Sequence, residues 1–326
     1  TVGVESGKFK LAKGIKTALI ISQSGIIFPF AFGVLCAWAL AAQYAVAGIP
    51  FHVFAIFMGL AMSITSFPIL ARIIQERKGT NTVFGSLILI CAAIDDVTAW
   101  CLLSVGVALK TATGFTSGLQ TIGYTLIYVL IMLLILKPCI RKLYIYSGQT
   151  AGISFLFPLV LMLLSSLTSE LIGIHHLFGA FLAGLIIPDT GDVKQGIIVR
   201  LEDVSKTLLL PVFFVLSGMK TQIGLLHSLH DWSIFLVLLF AAILGKLIGC
   251  MLAARFTSLS WKQSFAAGTL MNARGLMELI VLNIGYSLGI ISGEIFTMMV
   301  LIACTTTIMT STLLDLLPGG RDLGTL

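Results

Sequence analysis

Of the 326 residues, 58% are hydrophobic and only 10% charged, with mean hydropathy +1.06. A water-soluble globule carries charge on roughly one residue in four, so the composition excludes one and indicates a polytopic membrane protein, which its helix-length apolar runs make all-α. The formal charge of +6 is not a nucleic-acid signal, because the basic residues cluster in short loops between apolar runs.

In chain order the apolar runs predict about ten membrane segments, at 17–42, 53–75, 83–109, 119–136, 152–168, 171–187, 207–219, 232–254, 264–286 and 295–317. Each approaches the roughly 20 residues a helix needs to cross about 30 Å of hydrocarbon, and 171–187 and 207–219 are the short ones. Thr1 to Lys16 lacks the apolar core of a signal peptide. The opening Thr1-Val2-Gly3-Val4-Glu5 reads as the tail of an earlier membrane helix, so the chain is expected to be a fragment.

Alternate loops test this segmentation. One set holds Lys8, Lys10, Lys13 and Lys16; Arg72, Arg77 and Lys78; Lys137, Arg141 and Lys142; Lys194, Arg200 and Lys206; Arg255 and Lys262; and Arg321, sixteen of the twenty basic residues. The opposite loops hold Lys110 and Lys220, while Lys246 and Arg274 fall inside apolar runs. The asymmetry predicts that both termini of this chain face the cytoplasm.

Five charged residues lie well inside predicted membrane segments, away from their ends: Asp95 and Asp96, Lys246, and Arg274 with Glu278. A carboxylate at mid-membrane costs roughly 2.5–3.5 kcal/mol on the insertion scale, and five separately inserted charges on the order of 15 kcal/mol. The five should therefore converge and pair in one hydrated interior. Arg274 and Glu278 stand four residues apart and can pair within one helix, as a purely structural ion pair. Lys246 is left to face the aspartates, and three acids against two bases leave a charge of −1 that a cation would neutralise. Successive helix positions diverge by about 100°, so one partner cannot serve Asp95 and Asp96 equally. On this count Lys246 pairs with Asp95 when no cation is bound and loses that partner when one binds. The Gly245 and Gly249 setting of Lys246 reads as close helix packing.

The remaining polar residues have plainer readings. His175 and His176 fall near a helix end as an interfacial position or cap. His52, His227 and His230 belong to outer loops, and Asp189, Asp192, Glu202 and Asp203 to a solvated mixed-charge linker. Cys36, Cys91, Cys101, Cys139, Cys250 and Cys304 read as buried thiols without a disulfide framework.

Two segments carry helix-breaking chemistry at mid-membrane depth. In AMSITSFPILARIIQE, Pro68 removes a backbone donor and is expected to push Phe67 out of the helical region, with Ser63, Thr65 and Ser66 offering hydroxyls to the freed carbonyls. In GTLMNARGLMEL, Asn272 and Gly275 weaken the helix beside Arg274. The two segments run in opposite directions across the membrane, the mark of an inverted repeat whose broken helices hold ions near the midplane.

Together, TSFPILARIIQERKGTNTVFGSLILICAAIDDVTAWCLL, HHLFGAFLAGLIIP, LLLPVFFVLSGMKTQIG, LGKLIG and MNARGLMELIVLNIG resemble the monovalent cation:proton antiporter-2 family, the bacterial sodium/proton and potassium/proton exchangers. The resemblance covers nearly the whole chain, with roughly three N-terminal helices missing. It implies a fold of two inverted five-helix repeats with crossed, interrupted helices. The core elements would lie at 53–110 and 232–317, and the remainder would be a scaffold that forms a homodimer in a bacterial inner membrane.

Carried over by residue, Asp96 is the principal cation and proton carboxylate, Asp95 its partner and Lys246 the counter-ion. Thr65, Ser66, Pro68, Asn272, Arg274 and Gly275 form the interrupted helices. The implied activity is exchange of Na⁺ or K⁺ for H⁺ by alternating access, with lipid, cations and protons as partners, no nucleic acid and no cofactor. A cation channel would need filter carbonyls or a ring of acids that the sequence lacks. An intramembrane aspartyl protease needs its two aspartates on separate helices.

Overall fold

The computed structural model describes residues 2–80, 82–111, 115–146, 153–187, 205–320 and 322–323. Among these the architecture is helical, with one isolated bridge between Ala45 and Ile291 as its only extended pairing. The helices are α1 (Val2–Tyr44), α2 (Phe51–Ser63), α3 (Phe67–Glu76), α4 (Val83–Thr111), α5 (Phe115–Leu130), α6 (Lys137–Tyr146), α7 (Ile153–Ile172) and α8 (His176–Ile186), then α9 (Leu210–Lys220), α10 (Leu229–Phe256), α11 (Trp261–Met271), α12 (Leu276–Ser287) and α13 (Gly293–Asp315). Among the described residues, seven helical stretches are long and apolar enough to cross a bilayer, or eight if the pair α11 and α12, bent by 40° at its break, counts as one span. Of the ten predicted segments, 152–168 and 171–187 emerge as shorter apolar helices, Leu156–Ile172 and His176–Ile186. The predicted linker around Asp189, Asp192, Lys194, Arg200, Glu202 and Asp203 lies outside the described residues.

The chain divides into two units, Thr1–Ala99 with Met219–Leu326, and Trp100–Gly218. In the first, α1 packs along α2 and α10. Glycines let α1 and α10 close up: a β-carbon on Gly245 would lie 2.9 Å from the Cα of Pro29, and one on Gly249 3.0 Å from the carbonyl oxygen of Ser24. Close packing is thus the role of this glycine pair. A capping box starts α10, with Ser228 and Asp231 each satisfying the other's backbone N–H. At the far end of α3, Arg77 donates to Asp315 and to the carbonyls of Ser311 and Gly320, tying that half-helix to the end of α13.

In the second unit the Tyr128 hydroxyl meets Ser165, whose own hydroxyl donates to the Gly179 carbonyl and joins α7 to α8. His175 caps α8, its Nδ1 accepting from the Leu177 N–H at 3.3 Å, which is the capping alternative of the sequence reading. Large apolar side chains such as Leu163, Leu164, Leu167 and Leu171 point outward, as a bilayer permits. The thiols depart from expectation. Cys91 and Cys250 are buried and Cys36 is half-buried, but Cys101, Cys139 and Cys304 are exposed, because an apolar helix in lipid has an outward as well as an inward face.

Candidate ion-binding site

The two helix breaks meet within the first unit. Helix α2 ends at Ser63 and α3 begins at Phe67, with Ile64 and Ser66 in extended conformation between them. Pro68 therefore sits inside the first turn of α3, where its missing N–H costs nothing. The expected displacement of Phe67 does not occur; the extended residues are upstream. Helix α11 ends at Met271 and α12 begins at Leu276, with Asn272 to Gly275 between. The Ser66 N–H donates to the Ala273 carbonyl at 2.9 Å, and the Thr65 hydroxyl lies 2.9 Å from the Met271 carbonyl, so each break supplies partners to the other. A β-carbon on Gly275 would sit 2.1 Å from Cδ1 of Ile69 and 3.3 Å from the Ser66 hydroxyl, so a side chain here would require Ile69 to move aside.

The C-terminal end of α2 is buried at the crossing. Its last four carbonyls have no intrahelical partner and carry the negative pole of the helix dipole. Ser63 donates its hydroxyl to the Leu60 carbonyl, the Arg274 guanidinium to the carbonyls of Ala61 (2.7 Å) and Met62, and the Lys246 ammonium to that of Ser63. Two buried cations thus do most of what the sequence reading assigned to Ser63, Thr65 and Ser66. Ser66 Oγ itself is buried without a hydrogen-bond partner.

The carboxylates divide sharply. Asp95 is 1% exposed and fully engaged: Oδ1 accepts from Ser22, while Oδ2 accepts from Thr65 at 2.7 Å and from Lys246 at 2.9 Å. Asp96, one position along α4, makes none of these contacts, and its Oδ1 is buried without a hydrogen-bond partner. Arg274 pairs with Glu278 at 3.0 Å, both side chains at most 1% exposed. Glu278 Oε2 and both side-chain polar atoms of Asn272 are also buried without partners.

The structure therefore brings Asp95, Lys246, Thr65, Ser66, Arg274 and Gly275 to one crossing, with Asp96 and Glu278 adjoining. Sequence reasoning missed Ser22, and also Thr307 of α13, which accepts from the Arg274 N–H at 3.1 Å and donates to the Arg274 carbonyl at 2.6 Å. A hydroxyl inside an apolar run carries no signal by itself. A helix-period reading also sees only partners within one helix, so the reach of Arg274 to α2 was invisible to it. No group of three or more His, Cys, Asp or Glu side chains suited to a resident metal occurs among the described residues.

Acids and bases buried at crossed, interrupted helices are the construction by which ion-coupled transporters hold their ions. Residues 1–317 match the family described as sodium/hydrogen exchanger, transmembrane, and the chain belongs to that family. It is 37% identical over 319 residues to the Na(+)/H(+) antiporter NhaS4 of Synechocystis sp., covering 96% of this chain and 77% of that protein. It is 37% identical to Cation/H(+) antiporter 17 of Arabidopsis thaliana and 32% identical to K(+)/H(+) antiporter 1 of Saccharomyces cerevisiae, covering 96% and 97% of this chain. The match spans only 38% and 37% of those two longer proteins. These relationships place the chain among membrane transporters rather than enzymes.

Proposed function

We propose that this chain is the exchanging domain of a secondary antiporter, which moves Na⁺ or K⁺ in one direction and H⁺ in the other. The observation that carries the reading is the unequal state of two adjacent carboxylates at the helix crossing, Asp95 buried and Asp96 half-buried. Asp95 is saturated by three donors, whereas Asp96 keeps a buried oxygen with no partner. An unpartnered carboxylate oxygen out of water is costly unless a cation or a proton takes it. Either one neutralises Asp96, so the two compete, and competition for one site suffices to couple their flows. Lys246 acts as counter-ion to Asp95, and Thr65 contributes from the broken helix.

Alternating access follows if the crossing moves as a body between the two membrane faces. No cofactor enters this reading, since the ion gradients drive the cycle. It includes a bacterial inner-membrane location with both termini of this chain cytoplasmic. It also includes a homodimer, with the outward apolar faces of the second unit available to lipid or to a second copy.

The test is reconstitution of the full-length protein into vesicles with an acidic, dye-reported lumen. External Na⁺ or K⁺ should raise luminal pH at zero membrane potential, with proton efflux abolished when the cation is replaced by choline. Cation flux without proton movement would replace antiport with a channel reading.

A further inference from the structure

Helix α1 contributes to the site although no charge or motif in it points there. Ser22 is fully buried on α1 and donates its hydroxyl to Asp95 Oδ1. The other oxygen of that carboxylate is held by Thr65 and Lys246, so Ser22 is the partner that fixes the second edge of the carboxylate plane. A separate observation places the same face of α1 against the ion pair. Gly25 lies three residues from Ser22, hence on one side of the helix. A β-carbon there would stand 2.4 Å from Cys250 Sγ and 3.8 Å from Lys246 Nζ, so this face of α1 packs on Cys250 and lies within van der Waals reach of the ammonium, one turn from where it holds the carboxylate. Next to Ser22, Gln23 donates to Thr98 at 3.2 Å, a second polar tie from α1 to α4 one turn beyond Asp95.

We propose that Ser22 is a positioning residue for cation exchange: its hydroxyl sets the orientation of Asp95 and thereby the shape of the cation site beside it. The inference rests on the antiport reading above. With the hydroxyl gone, Oδ1 is buried without a partner and the carboxylate turns about its remaining two bonds. The cation then meets a distorted site while the moving parts of the protein are unchanged. The effect belongs in cation affinity rather than in turnover.

In reconstituted vesicles, Ser22→Ala should raise the apparent KM for Na⁺ or K⁺ about tenfold, the order expected for one lost hydrogen bond to a charged group, with maximal rate little altered. Ser22→Thr, which keeps the hydroxyl, should restore wild-type KM. Ser22→Cys, close to serine in volume but a weak donor, should fall between and serves if the alanine variant does not fold. A merely structural Ser22 would lower the thermal midpoint and leave KM unchanged in every variant that folds, and that result overturns the inference. Wild-type vesicles that exchange neither Na⁺ nor K⁺ for protons would instead overturn the antiport reading beneath it, so the two failures are distinct.

Discussion

Adjacent aspartates of the same chemistry have different surroundings because α4 turns them in different directions. Asp95 is one arm of a buried ion pair whose partner, Lys246, has no exposed surface. Removing one partner from such a pair strands the other, at a cost of about 3–5 kcal/mol. Asp95→Asn is therefore expected to lower the thermal midpoint clearly. Asp96→Asn should leave it near wild type, because no donor depends on that side chain. The transport phenotype runs differently. An amide in place of Asp96 keeps the shape but not the charge for which cation and proton compete, so Asp96→Asn should abolish exchange in a protein that still inserts and folds. Detergent thermal-shift and vesicle assays on the two variants check both halves. A well-folded Asp96→Asn protein exchanging at wild-type rate would remove Asp96 from the reading.

At the scale of elements, the crossing depends on each broken helix satisfying the other. Thr65 faces both Asp95 and the Met271 carbonyl, so Thr65→Val should raise the apparent cation KM roughly tenfold, in line with one hydrogen bond to a charged group. A variant that lost folded protein at unchanged KM would make the hydroxyl purely structural. Arg274 closes the end of α2 and pairs with Glu278 in the first turn of α12. Arg274→Gln should thus destabilise by about 3–5 kcal/mol, as for a broken buried pair. The double change Arg274→Gln with Glu278→Gln should recover part of that loss, which thermal unfolding of the single and double variants would measure; no recovery would mean the guanidinium matters only to the α2 carbonyls. Both breaks were legible in the sequence through Pro68, Asn272 and Gly275. Their detailed form was not: Pro68 is compatible with a first helical turn, so the irregular backbone lies at Ile64 to Ser66 instead. The clamp on α2 joins residues more than 200 positions apart, a distance no local pattern spans.

For the whole molecule, composition and hydropathy were enough to announce a helical membrane protein, because the bilayer leaves an apolar chain few alternatives. The ionisable inventory singled out residues that the fold gathers at one crossing, since charges inside apolar runs are too costly to be scattered. The part played by α1 was hidden, because serine and glycine in a membrane helix are ordinary and only the tertiary contacts distinguish Ser22 and Gly25. The central proposal is that a monovalent cation and a proton compete for the half-buried Asp96 carboxylate at the helix crossing. The most direct test is the dependence of exchange on cation concentration at several pH values in reconstituted vesicles. Competition predicts that lowering pH raises the apparent KM for the cation while saturating cation restores the same maximal rate; a maximal rate that falls with pH at constant KM would contradict it.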